Sequence, residues 1–187
     1  MSITIPDNIA YLNPNGFYFQ IQKYPELNYF LQDVELPGIT LGTAIQGSAT
    51  HDLKIPGETM EFAPLNVTFL IDSKMENYLA IHDWMVGLGY PEGSSMFKKL
   101  LASPRNEASY TIASKTVSDC TLTILDGNNL PLKTFVFVDA FPVSLSGIQM
   151  TSTNSDITYI QASLTLDYSY YTISTPGVGV IPESGLY

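Results

Sequence analysis

The sequence predicts a mainly β, α+β domain: a small antiparallel β-barrel or sandwich, flanked by one amphipathic α-helix and carrying a long β-hairpin arm. Three observations predict it. Strict alternation of apolar and polar residues, the period of a pleated strand, recurs at residues 17–21, 65–71, 120–124 and 160–170. One stretch alone, residues 75–88, repeats its apolar residues at three- and four-residue steps. Between strands, residues 39–63 scatter a few apolar side chains among glycines and a proline, too long for an idle loop in a compact domain.

Residues 1–15, with Pro6, Pro14 and the turn-forming Asn13-Pro14-Asn15-Gly16, read as an N-terminal arm. The domain then runs from 16 to 173. Phe17, Phe19 and Ile21 alternate with Tyr18, Gln20 and Gln22, giving a first strand with one apolar face. Tyr24-Pro25-Glu26 makes a turn into a second strand at 29–35, completing a hairpin that exits through Leu36-Pro37-Gly38. In residues 39–63, Leu41, Ile45, Leu53 and Ile55 are spaced among Gly42, Gly47, Pro56 and Gly57, the pattern of an arm that orders against a neighbour. Leu65, Val67, Phe69 and Ile71 form the third strand, ended by Asp72.

The helix spans 73–88. Ser73 and Glu76 fit a capping box, each side chain taking an orphan backbone N–H. Met75, Tyr78, Leu79, His82, Met85 and Leu88 mark its apolar face, and Gly87-Leu88-Gly89 with Pro91 beyond stops it. A short helix over 94–103 ends before Pro104. The remainder returns to β structure. Cys120, Leu122 and Ile124 alternate, residues 126–129 form a hairpin loop into 132–140, and 141–149 lead to a polar turn at 151–156. The longest alternation, from Ile160 through Tyr170, has a six-step apolar face and predicts a central strand. Residues 174–187 are a Pro- and Gly-containing tail.

Composition narrows the function classes. Eight Lys and Arg against 18 Asp and Glu give a formal charge of −10, and no basic residue precedes Lys23 or follows Lys133. A nucleic-acid reader would gather its cations on one face, so tight phosphate binding is excluded. No apolar run approaches the roughly 20 residues of a membrane helix. Residues 1–12 lack the basic and apolar regions of a signal peptide, so the expectation is a soluble, unsecreted protein with no membrane partner. A single cysteine, Cys120, excludes an intrachain disulfide and a Cys-cluster zinc site.

No catalytic, metal or cofactor constellation emerges. His82 and Asp83 are adjacent on a helix and do not share a face, so they are not a dyad. Cys120 alternates with core residues, the place of a small buried hydrophobe and not of a nucleophile. An enzyme would have to bring His51, Glu58 and Glu61 into a cleft, yet nothing around them implies an apolar pocket or a partner base. Gly87-Leu88-Gly89 follows a helix where a dinucleotide fingerprint must precede one. Asn66-Val67-Thr68 is a sequon by chance, and Lys98-Lys99, the only basic pair, reads as a solvated helix face. A binding module would instead present a discrete apolar patch and stay monomeric.

Low charge leaves strand edges without lysines to guard them, which suits a chain that pairs its edges with copies of itself. The residues also resemble a family. Gly16–Ile21 with Gln32-x-x-x-Leu36-Pro37-Gly38-Ile39, the strand ending at Asp72 followed by Asn77-Tyr78-x-x-Ile81-x-Asp83-Trp84, and Phe141-Pro142-Val143-Ser144-Leu145 through Thr153-Asn154-Ser155-Asp156 into 160–171 are similar to the tail-tube proteins of contractile-tailed bacteriophages. The likeness spans residues 16 to 173. It implies homohexameric rings stacked into the inner tail tube, with baseplate tube initiators and tail terminators sharing the core. It implies a virion protein, assembled in the host cytoplasm, that contacts copies of itself and sheath, baseplate or terminator proteins, while DNA passes through the lumen without specific binding. On this resemblance 39–63 is the inter-ring arm, with Leu41, Gly42, Ile45, Gly47, Leu53, Ile55, Pro56 and Gly57 as its contact residues. A hexamer would carry 6 × −10 = −60 formal charges, and acids on the inner wall would repel phosphates within a Debye length of about 8 Å.

Overall fold

The computed structural model describes residues 12, 14–47, 51–89, 91, 93–106, 111–151 and 159–175. The N-terminal arm up to residue 11, the arm's tip at 48–50, the polar turn over 152–156 and the tail from 176 lie outside the described residues.

Nine strands, β1 (Phe17–Ile21), β2 (Leu31–Glu35), β3 (Ile39–Gln46), β4 (Leu53–Phe62), β5 (Leu65–Leu70), β6 (Ser118–Leu125), β7 (Pro131–Leu145), β8 (Gln161–Asp167) and β9 (Tyr170–Ser174), divide into two sheets. Seven make one antiparallel sheet in the order β1-β6-β7-β8-β5-β2, with β9 added beside β7. β3 and β4 pair only with each other. The sheet path is open: β1 and β2 are its ends, so the barrel allowed by the sequence is not closed.

β7 organises the sheet. Its first part pairs with β6 and β9, and its last part, from Phe141, pairs with β8. The register shifts between Pro142 and Ser144, and Asp139 has φ 57°, a left-handed conformation that Asp tolerates better than most residues. Its backbone N–H is held by the Asp119 carboxylate at 3.1 Å. The two half-sheets on either side of this irregularity share one core: Phe19, Ile21, Cys120, Leu122, Phe135 and Phe137 from one, and Leu65, Val67, Phe69, Ala162, Leu164 and Leu166 from the other.

The predicted first hairpin does not form. β1 pairs with β6 and β2 with β5, and residues 25–30 are a 3-10 helix begun by Pro25, whose fixed φ suits a first helical position. β2 therefore starts at Leu31 and not at 29. β8 is interior as predicted, between β5 and β7. The long alternation nevertheless breaks after Asp167, and β9 restarts on the other half-sheet, so Tyr171 and not Tyr170 turns toward the core.

Three α-helices are present among the described residues: α1 (Glu76–Gly89), α2 (Ser94–Leu101), which matches the short helix expected over 94–103, and α3 (Ile112–Thr116), which was not expected. The Ser73–Glu76 capping box is replaced by Asp72, whose Oδ1 accepts from the backbone N–H of both Lys74 and Glu76 at 3.0 Å. α1 buries Asn77, Ile81, Trp84 and Gly87, so the predicted face was rotated: Leu79 and His82 are exposed. Asn77 explains the rotation, because its buried amide donates to the Leu70 carbonyl at 2.7 Å and accepts from the Asp72 N–H at 3.3 Å. A polar residue satisfied this way can sit on the inner face, where a hydrophobic period does not look for it. α1 ends at Gly89, within the predicted Gly87-Leu88-Gly89 stop and one residue beyond the expected 88.

Candidate functional site: an exposed ribbon and a helical groove

The β3–β4 ribbon carries the residues predicted for the arm. On β3 the two-residue period puts Ile39, Leu41 and Ile45 on one face, and the cross-strand partners Phe62 and Met60 extend it. Ile55 and Leu53, opposite Ala44 and Gln46, occupy the other face toward the tip. Except for half-buried Phe62, these apolar side chains remain exposed, Ile45 at 66% and Met60 at 53%. Between the pairs Leu41↔Met60 and Thr43↔Pro56, β4 advances four residues while β3 advances two, a bulge that brings the backbones together at Gly42 and Gly57. A Cβ on Gly57 would stand 2.7 Å from the Gly42 carbonyl oxygen, so only glycine fits there. Pro56 faces Thr43 beside this bulge, where a missing N–H is tolerated, and Gly47 follows the end of β3.

The ribbon's root is fixed. The Ala63 N–H donates to the Gly38 carbonyl at 3.0 Å, and the Tyr168 hydroxyl donates to the Ala63 carbonyl at 2.8 Å. Phe62 packs at 6.1 Å from the Tyr168 ring and 5.5 Å from Tyr171, and both tyrosines meet Phe137 of the core. Burial, with Tyr171 and Asp167 nearby, pushes the Tyr168 hydroxyl up to about 12, so it stays a neutral donor.

His51, Glu58 and Glu61 do not meet in a cleft. Glu58 and Glu61 lie exposed on β4, and His51 lies exposed before it. Among the described residues no group of three or more His, Cys, Asp or Glu is placed to hold a metal ion. Cys120 is buried and its thiol is pushed up by desolvation, with Asp119 adding to the effect, so the residue is a core hydrophobe as predicted.

A concavity that the sequence reading missed lies between α1 and α2. It encloses about 420 Å3, with Trp84, Met96 and Leu100 among its apolar lining and Lys99, Arg105 and Asp83 among its charges. The two helices approach closely because α1 has Gly87 where Leu100 crosses it: a Cβ there would be 2.8 Å from the Leu100 Cβ. Trp84 is pinned by its indole N–H on the Thr116 carbonyl at 2.9 Å and stacks on Tyr24 at 4.6 Å. The Arg105 guanidinium lies 4.7 Å over the other side of the system, on the Tyr24 ring, and forks onto the Glu26 carboxylate. Burial alone would raise Glu26, but the Arg105 hydrogen bond and charge outweigh it and hold the carboxyl below its ordinary value. The basic pair Lys98-Lys99 beside Met96 and Leu100 was the available signal, and only α1's packing shows that it borders a groove.

The overall fold is similar to that of chains from contractile injection machines. A chain of the anti-feeding prophage cap, described as the tube-terminating cap, superposes with a TM-score of 0.54 at 14% identity, covering 94% of this chain and 95% of that one. A chain of the sheath–tube complex of an extracellular contractile injection system, PVC, gives 0.52 at 16% identity over 89% and 94%. In sequence, the tail tube terminator protein of Enterobacteria phage T4 is 24% identical over 151 residues, 78% of this chain and 77% of that protein. The fold is thus that of tube-associated subunits. The family model for phage tail tube protein matches residues 1–174, and the chain belongs to that family.

Proposed function

We propose that the chain is a ring-forming structural subunit of a contractile phage tail, whose homohexamers stack with the inner tube and line the conduit for DNA. The observation that carries this reading is the β3–β4 ribbon. A two-stranded hairpin is marginal in water on its own, and this one exposes aliphatic side chains on both faces while pairing with no other strand among the described residues. Its stability and its use both call for a partner, so Leu41, Gly42, Ile45, Gly47, Leu53, Ile55, Pro56 and Gly57 are the inter-subunit residues. Leu41, Ile45, Leu53 and Ile55 supply contact area, and the glycines and Pro56 shape the strand. The role is geometric and not catalytic. Assembly takes place in the host cytoplasm and the product is a virion component, with sheath and baseplate proteins as further partners.

A terminator position is the second reading, and the T4 terminator protein favours it. The full-length superpositions on a tube-terminating cap and on a PVC terminator chain, 94% and 93% of this chain, give the same direction. Negative-stain electron microscopy of the purified protein over a range of concentrations tests both. Hollow rods mean a tube builder, and isolated rings that bind only the ends of preformed tubes mean a terminator. Monomers at every concentration, also when tubes are added, would sink both readings in favour of a monomeric binding module. Removing residues 42–57 should abolish assembly while the domain still folds.

A further inference from the structure

We propose that the groove between α1 and α2 receives the β3–β4 ribbon of a second copy of this chain. The proposal rests on the reading of the ribbon as a copy-to-copy contact and names its receptor. A ribbon that meets a different surface of its neighbour makes a heterologous contact, so the same chain must carry the complementary surface. The ribbon is apolar on both faces and acidic, with Asp52, Glu58 and Glu61 against Lys54, or 1 − 3 = −2. Its receptor therefore has to be an apolar concavity with a cationic rim.

The groove has that character. Its floor is Trp84, Met96 and Leu100, and its wall carries Lys99 and Arg105 against Asp83, or 2 − 1 = +1. Charge is segregated along the chain: residues 94–116 hold Lys98, Lys99, Arg105 and Lys115 against Glu107, or 4 − 1 = +3, so the remaining residues sum to −10 − 3 = −13. Arg105 is committed to Glu26, whereas Lys98 and Lys99 have no ion-pair partner among the described residues. Of these two, Lys99 lines the groove beside its apolar floor, and Lys98 precedes it in the last turn of α2. No residue of the ribbon lines its own chain's groove. The chain enters β5 from the ribbon and leaves it toward α1, so ribbon and helices begin at opposite ends of a strand about 20 Å long. In a head-to-tail arrangement, the ribbon of one copy then faces the helical side of the next.

Charge reversal and a thiol cross-link test the pairing, with assembly followed by native mass spectrometry and negative stain. Lys99→Glu, an exposed substitution, should raise the concentration needed for rings about tenfold, the scale of one lost interfacial ion pair. Asp52→Lys in the same chain should restore much of the loss. Mixing Leu53→Cys chains with Ala102→Cys chains should give a disulfide-linked dimer under mild oxidation, since the native Cys120 is buried. If Lys99→Glu assembles like the parent and the mixed thiols do not couple, while removal of 42–57 still blocks assembly, the groove is not the receptor and the ribbon contacts another partner. If the chain lacking 42–57 also assembles, the ribbon reading itself fails.

Discussion

The β3–β4 ribbon and the β5–β8 pair are both antiparallel, both carry several aliphatic side chains, and have opposite fates. In β5 and β8 the alternating Leu65, Val67 and Phe69 face Leu166, Leu164 and Ala162 and are almost wholly buried. In the ribbon Ile39, Leu41 and Ile45 form an apolar row, broken by Thr43 and a register shift, that stays in solvent. Apolar periodicity thus states that a face will be covered, and it does not state by which chain. The regular pair closes a core within one molecule, whereas the ribbon, interrupted by Gly42, Pro56 and Gly57, leaves its aliphatic side chains in solvent.

The contrast can be broken by substitution. Phe69→Ala should have the largest effect on folding, about 3–5 kcal/mol for a buried aromatic, measured by urea unfolding; a loss below about 1 kcal/mol would mean that the shared core is not what holds the domain. Gly57→Ala should cost about 1–3 kcal/mol through backbone collision. That loss should be confined to the ribbon, so hydrogen exchange should accelerate in β3 and β4 while β5 and β8 keep their protection.

Glu26 gives a smaller, pH-dependent effect. Its folded pKa lies below the unfolded value, so the Arg105 contact stabilises the protein above the ordinary carboxylate pKa, about 4.3. That contribution is lost as pH falls through the depressed folded value. Melting curves of Glu26→Gln against the parent should differ near pH 7 by less than about 1 kcal/mol, because both partners are partly exposed. The two should converge in acid, and a gap that widens in acid would reverse the assignment. Smallest of all, Ile45→Ser should change monomer stability by no more than about 0.5 kcal/mol while blocking ring formation. A large loss of stability would show that the ribbon belongs to the domain's own core.

Local patterns were legible where side chains meet close neighbours in a pleat. β1, β5, β6 and β8 follow their alternation, and the ribbon's extent matched residues 39–62 because its glycines and proline mark bulge and tip. Legibility failed where a distant or polar partner decides. β1 is completed by β6 some hundred residues later, which no local turn signal encodes, so Tyr24-Pro25-Glu26 was read as a hairpin turn. The α1 face was misplaced because Asn77, satisfied by Leu70 and Asp72, occupies an inner position. The groove was invisible because its floor comes from two helices whose close approach, Gly87 against Leu100, no local pattern encodes.

The ribbon's root has a mechanical consequence. β3 follows β2 and β4 precedes β5, and β2 and β5 are themselves paired, so a pull on the ribbon enters both strands from the same end. Tension on β5 is then resisted by β8 in shear, with the six register pairs from Leu65↔Leu166 to Leu70↔Gln161 sharing the load together instead of unzipping one after another. A pull on the ribbon is thus carried by the whole β5–β8 ladder at once.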